Sequence, residues 1–227
     1  MRATETIFID LQRLYDSGPD AVLIVQLMRA ADDIVLANWG LSHFKSELPN
    51  LQKHVQLGAC RYFVRLQCGH LAEALGLIEE FNQRPILVDM LAKCQSHVQN
   101  AYGRLIEVLP GGSQREKYEK WILPIRNRLA FHYDPSLIER ALKRRALNPA
   151  SRKSTITRGS EMKLWRFNVA DDVEDSIVCR ELWKIPLNSD LLIEANKRAD
   201  FGSDLCRDFI DFVGELAFLY AREFSAY

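Results

Sequence analysis

LGACRYFVRLQCGHLAEALGLI, residues 57–78, decides the fold. Within it Leu57, Cys60, Val64, Cys68, Leu71, Leu75 and Ile78 advance by threes and fours, which lays one apolar stripe along a long amphipathic helix. Moving outward, the same spacing recurs upstream in Leu23, Leu27, Ala30, Ile34, Ala37 and Leu41, with Asp20 after Pro19 as a helix start. Downstream it recurs in Leu87, Leu91, Cys94, Val98, Ala101, Leu105 and Val108, read as one helix that Gly111-Gly112 ends. Tyr118, Ile122, Ile125 and Leu129 mark a further helix, and Leu205, Phe209, Phe212, Leu216 and Leu219 another. Long helices joined by short turns predict an all-α protein, an antiparallel helical bundle. One stretch breaks the pattern. Asn148-Pro149 closes a short basic helix, and residues 150–160 are polar and turn-rich. Trp165, Phe167 and Val169 then alternate as a short strand would, while residues 176–185 suit a strand or a helix. The expectation is a single domain over residues 1–227, with a small basic, irregular or β-hairpin insertion over 148–188 before the C-terminal helix.

Composition narrows the class. Of 227 residues 48% are hydrophobic and 26% charged, an ordinary globular balance that excludes wholesale disorder. No run approaches the roughly 18 apolar residues of a membrane helix, and the N-terminus mixes charge into every turn. The expected location is the cytoplasm, with no membrane partner. The five cysteines, Cys60, Cys68, Cys94, Cys179 and Cys206, are odd in number and form no Cys-x-x-Cys pair. They read as small buried hydrophobes rather than a metal or redox centre. Net charge is zero, but residues 126–166 hold eleven Lys/Arg against three Asp/Glu, and residues 169–227 hold six against thirteen. Such a split suits a polyanion-facing side and an acidic side, or two segments that neutralise each other across a packed or dimeric contact.

The chemistry is concentrated in Arg126-Asn127-Arg128-Leu129-Ala130-Phe131-His132-Tyr133-Asp134. Pro124 kinks the preceding helix or restarts it in a new first turn. Pro135 is expected to stop the helix just after Asp134, which would place His132 at a helix C-terminus, where the macrodipole favours the imidazolium. A histidine there can act as acid or base near neutral pH. Residues six apart on a regular helix stand about 120° from each other, so Arg128 rather than Arg126 would share the face of His132.

The run from Arg126 through Asn127 to His132 resembles the active-site motif of the HEPN superfamily: an Arg, a polar residue, and a His a few positions on. That resemblance implies a helical bundle, commonly a homodimer, with the motifs of both subunits in one cleft. It implies a metal-independent endoribonuclease without a cofactor, in a toxin or phage-defence role, with His132 transferring protons, Arg126 clamping the scissile phosphate and Asn127 orienting the site. Arg128 and Tyr133 are additional candidates. Tyr133 follows the His directly, where HEPN toxins paired with nucleotidyltransferase antitoxins carry a Tyr two positions on. Arg140, Lys143, Arg144, Arg145, Arg152 and Lys153 form a basic cluster that could hold RNA phosphates. RNA, a second copy of the chain and an antitoxin or regulatory protein are the expected partners. The alternative is a catalytically inactive HEPN-like module that binds RNA, a nucleotide or a partner protein.

Other candidates are weaker. His43, His54, His70 and His97 stand alone on predicted helices, and no His partner stands at metal-ligand spacing from Asp32-Asp33 or Glu79-Glu80. Gly111-Gly112-Ser113 lacks the pattern of a phosphate loop and reads as a helix stop followed by a cap.

Overall fold

The computed structural model describes residues 5–46, 53–160 and 166–224. The class is all-α. In order come α1 (Leu11–Asp16), α2 (Pro19–Lys45), α3 (Lys53–Phe81), α4 (Pro85–Lys93), α5 (Ser96–Ile106), α6 (Arg115–Trp121) and α7 (Leu123–Ile125). A π-helical segment, Arg126–Ala130, follows. Then come α8 (Pro135–Leu147), the two-residue strands β1 (Ile156–Thr157) and β2 (Arg166–Phe167), α9 (Asn168–Ser176), a second π segment (Ile177–Leu182) and α10 (Leu191–Phe224). The strands pair antiparallel, Ile156 opposite Phe167. Among the described residues no helix is long and apolar enough to cross a membrane.

The apolar stripes become the core. Leu23, Leu27, Ile34, Leu71, Ile78, Leu105, Phe209 and Phe212 are fully or almost fully buried. Two expectations need correction, and one left open is resolved. The stripe from Leu87 to Val108 is two helices, because Cys94 and Gln95 are extended between them. The Gln99 amide donates to the carbonyls of Ala92 and Cys94 there, satisfying groups that a continuous helix would have paired itself. The apolar phase survives the break, so spacing alone cannot reveal it. Val169 belongs to α9 rather than to a strand, and Trp165 lies outside the described residues. The ambiguous 176–185 stretch is largely the second π segment.

The chain divides into two compact units. The first comprises residues 1–35, 70–115 and 204–227. Asp10 caps α1 by accepting from the amides of Gln12 and Arg13. At the other end of α1 the Ser17 hydroxyl lies 2.8 Å from that of Tyr220 on α10. The centre of this unit is aromatic: Phe81, Tyr102 and Phe212 meet with ring centroids 5.1–5.5 Å apart. Nearby, Arg104 donates twice to Asp208, at 2.9 and 2.6 Å, a fork geometry that orients α5 on α10. After α5 the turn needs glycine, since Gly111 has φ +88° and a Cβ on Gly112 would run into the Glu107 carbonyl.

The second unit comprises residues 36–69 and 116–203. Trp121 at the end of α6 is a junction. Its carbonyl accepts from the Trp183 indole at 2.7 Å, Phe201 of α10 meets its ring edge-on at 5.4 Å, and the Arg198 guanidinium sits 5.4 Å above it. On α3, Arg61 pairs with Asp175 at 2.5 Å and Arg65 with Glu174 at 2.7 Å, tying that helix to α9.

The aromatic cluster of the first unit gives a stability test. Phe212→Ala empties a fully buried site, so it should cost about 3–5 kcal/mol, read as a shift of the urea midpoint with unchanged slope. A loss below about 1 kcal/mol would show that Phe81 and Tyr102 close over the gap.

Candidate active site

The motif is built by a helix that is interrupted and rewound. Ile122 leaves the helical run, and α7 restarts with Pro124 in its first turn, where the missing N–H is not needed. The next five residues, Arg126–Ala130, wind as a π segment. Leu129 points into the core, Asn127 is exposed, and Arg126 and Arg128 are half-buried. The helix then ends on Phe131, whose φ is −128°. Its ring rests on the backbone of α3 at Gly69, where a Cβ would approach the ring to 2.8 Å. His132 and Tyr133 follow in an open connector, both exposed, and Tyr133 is the most exposed aromatic of the motif at 86%.

Two expectations change here. Pro135 opens α8 rather than only stopping the preceding helix, with Asp134 as the N-cap. His132 therefore stands two residues beyond the π segment, not within a last helical turn. The 3.6-residue spacing that set Arg128 over His132 also fails, because a π turn closes on the fifth residue rather than the fourth.

The side chains have definite partners. Arg126 Nη1 donates to Asn127 Oδ1 at 3.0 Å, which brings the first two motif residues together. Arg128 donates from Nε and Nη2 to Asp134 Oδ2, at 3.2 and 2.6 Å. The other oxygen of Asp134 accepts from the Ser136 amide and hydroxyl at 2.9 and 2.7 Å. The Ser136 hydroxyl, followed by Arg128, holds the Asp134 carboxyl well below the usual carboxylate range. His132 has no hydrogen-bond or ion-pair partner among the described residues.

Half of the basic cluster is engaged. Glu181 accepts from Arg140 at 3.1 Å and also from Arg144. Burial opposes the charge on Glu181, but those two guanidinium groups lower its pKa. Arg145 lies 3.3 Å from Asp172, which also accepts from the Ser154 hydroxyl. Lys143, Arg152 and Lys153 are exposed and without an ion pair to any described residue.

The carboxylates Asp172, Glu174, Asp175 and Glu181 were residues that sequence reasoning did not single out. Glu174 and Asp175 stand half-buried against Arg65 and Arg61. Burial raises both, Asp175 to about 6. Their only signal in the sequence is the dense run Asp171-Asp172-Val173-Glu174-Asp175. The remaining candidates stay separate. His70 Nδ1 lies 4.0 Å from Asp33, His43 stacks on Trp39 at 6.0 Å, and the side chain of His54 is outside the described set. All five cysteines are free thiols, and burial lifts Cys68 to about 12 and Cys179 to about 11. Among the described residues no group of three His, Cys, Asp or Glu could hold a metal ion.

Asp134 offers a pH test. Its pKa is lower in the folded chain than in the unfolded one, so its contribution is complete above the ordinary Asp value of about 3.9 and fades as pH falls below it. Asp134→Ala should lower Tm at neutral pH, and Asp134→Asn, which keeps a cap, should lower it less. The gap between wild type and Asp134→Ala should hold from about pH 8 to pH 5 and narrow below about pH 4. A gap unchanged in acid would assign the loss to helix geometry instead of charge.

No protein-family model matches this chain, and neither does any curated protein or any solved structure.

Proposed function

We propose that the chain is a HEPN-like helical-bundle protein acting as a metal-independent endoribonuclease, its site built on Arg126, Asn127 and His132. The observation that carries the reading is the setting of His132: exposed, unpartnered among the described residues, and six residues from an arginine already drawn to Asn127. Cleavage begins when a ribose 2′-OH attacks the adjacent phosphate. The 2′-OH must lose a proton, the 5′-oxygen must gain one, and the crowded phosphorane carries extra negative charge. An exposed imidazole can take and give the protons, and a guanidinium suits the phosphate. Arg126 takes the clamp role that the resemblance gives it, and Arg128 bonds Asp134 and so holds the connector's shape. One histidine per motif is sparse for two proton transfers, which favours a two-fold homodimer that joins two motifs.

His132→Ala should lower cleavage of a mixed-sequence RNA by at least about 100-fold with unchanged circular dichroism. Arg126→Ala should be comparably damaging. Arg128→Ala should act mainly through a lower Tm. Activity should survive EDTA and leave a 2′,3′-cyclic phosphate, and solution mass should report a dimer. Equal cleavage by wild type and His132→Ala would sink the enzyme reading.

One observation favours the second reading, a binding module without catalysis: Glu181 and Asp172 already occupy Arg140, Arg144 and Arg145. RNA bound but uncleaved by every variant would select it. Either way the unpaired cations should carry the phosphate contacts. Replacing Lys143, Arg152 and Lys153 together with Gln should flatten the log-affinity against log-salt slope by about 2 for single-stranded RNA. Arg144→Gln should change stability more than slope. An unchanged slope in the triple variant would show that this patch is only a solvated face.

A further inference from the structure

The inner side of the motif segment borders a cavity of about 370 Å³ within the second unit. That volume falls in the range of small-molecule sites, roughly 300–1,000 Å³. Its walls are mostly apolar, with Leu41 from α2, Val64 from α3, Leu129 from the first π segment, Val178 from the second and Leu192 from α10. Five charged residues also line it: Lys45, Arg61, Arg65, Glu174 and Asp175. They are gathered rather than scattered, since Arg61 and Arg65 hold the two carboxylates directly. Lys45 and Arg61 both lie close enough to the Cys60 thiol to favour its ionisation, although burial dominates there.

Two features mark this end as built for a ligand. The first is a surplus of charge: three cations face two carboxylates, each carboxylate is committed to an arginine, and Lys45 pairs with no described residue. The second is an orphan donor. Arg65 Nε is buried with no hydrogen-bond partner, its bond to Glu174 being made by Nη1. Buried N–H groups are almost always paired, and Arg65 lines this cavity as well as two neighbouring hollows, so an acceptor bound here is one way to satisfy it. Glu174 and Asp175, with pKa values raised by burial, are the kind of perturbed groups that collect at binding sites.

We propose that the cavity binds a small amphiphilic monoanion, an acyl chain that ends in a carboxylate. The chain lies among the leucine and valine side chains, and the carboxylate meets Lys45 and the arginine pair. A single net positive charge matches one carboxylate. A phosphate monoester would bring excess negative charge, and an amine would meet the surplus cation with like charge. The site is separate from the exposed connector that carries His132, and it stands whether or not the chain cleaves RNA.

The test is calorimetric titration of the full chain, without RNA, against decanoate, decanol and decylamine, with Lys45→Gln and Leu192→Gln as variants. Both substituted residues are exposed, so circular dichroism should be unchanged. Saturable binding of one decanoate per chain is expected, with decanol and decylamine each weaker. Lys45→Gln should weaken decanoate by about fivefold, the worth of one partly exposed charge contact, and leave decanol unaffected. Leu192→Gln should weaken decanoate and decanol alike. Equal binding of decanoate and decanol, or no effect of Lys45→Gln, would reduce the site to an apolar void and overturn the proposal. Tighter binding of decylamine would overturn the assignment of charge. Absence of saturable binding would show that the cavity takes no such ligand and would also overturn the proposal.

Discussion

Two adjacent carboxylates on α9 impose the constraint on which the second unit depends. Half-buried and drawn up in pKa, Glu174 and Asp175 cannot remain ionised there without cations. Arg65 and Arg61 supply them, both from α3 and four residues apart, so one helix face meets two consecutive residues of another. The same economy repeats on either side of them, where Asp172 and Glu181 hold the arginines of α8. Removing one member of such a pair would leave its partner's charge uncompensated, a larger penalty than the pair's own net contribution. The +8 and −7 segments of the sequence are thus partly matched to each other inside this unit. Packing between oppositely charged segments accounts for part of the split.

The apolar stripes announced most of the fold. Leu57 to Ile78 and Leu23 to Leu41 became α3 and α2, and the positions expected to face inward are in the main the buried ones. Periodicity failed where the backbone changed its own period. Cys94 and Gln95 break a helix without shifting the apolar phase, and the two π segments carry five or six residues through a winding that 3.6-residue counting cannot represent. At the candidate site the residue identities were legible and the geometry was not. Nothing in Arg126 to Asp134 declares that Asp134 binds Arg128 with one oxygen and caps α8 with the other. That double use comes from Pro135 starting a helix, which a sequence reads as easily as a stop. Gly69 is a further case: its role under the Phe131 ring depends on a contact between positions more than sixty residues apart. The acidic run of α9 was visible, but its partners on α3 were not, because pairing across helices leaves no local spacing.

The engagement of Arg140 and Arg144 by one carboxylate has a consequence for how that surface meets any anion. A guanidinium already held by Glu181 is not recruited by an incoming oxyanion but exchanged, one acceptor leaving as another arrives. Exchange sets a threshold. A lone carboxylate offers about what Glu181 offers and gains nothing by arriving, whereas closely spaced phosphates can take both guanidinium groups at once. The released Glu181 would then stand beside the newcomer as a like charge, so the swap favours anions dense enough to outweigh that repulsion. In this way the internal acid raises the threshold that any anion would have to pass at these two arginines, a threshold that Lys143, Arg152 and Lys153, unpaired among the described residues, do not share.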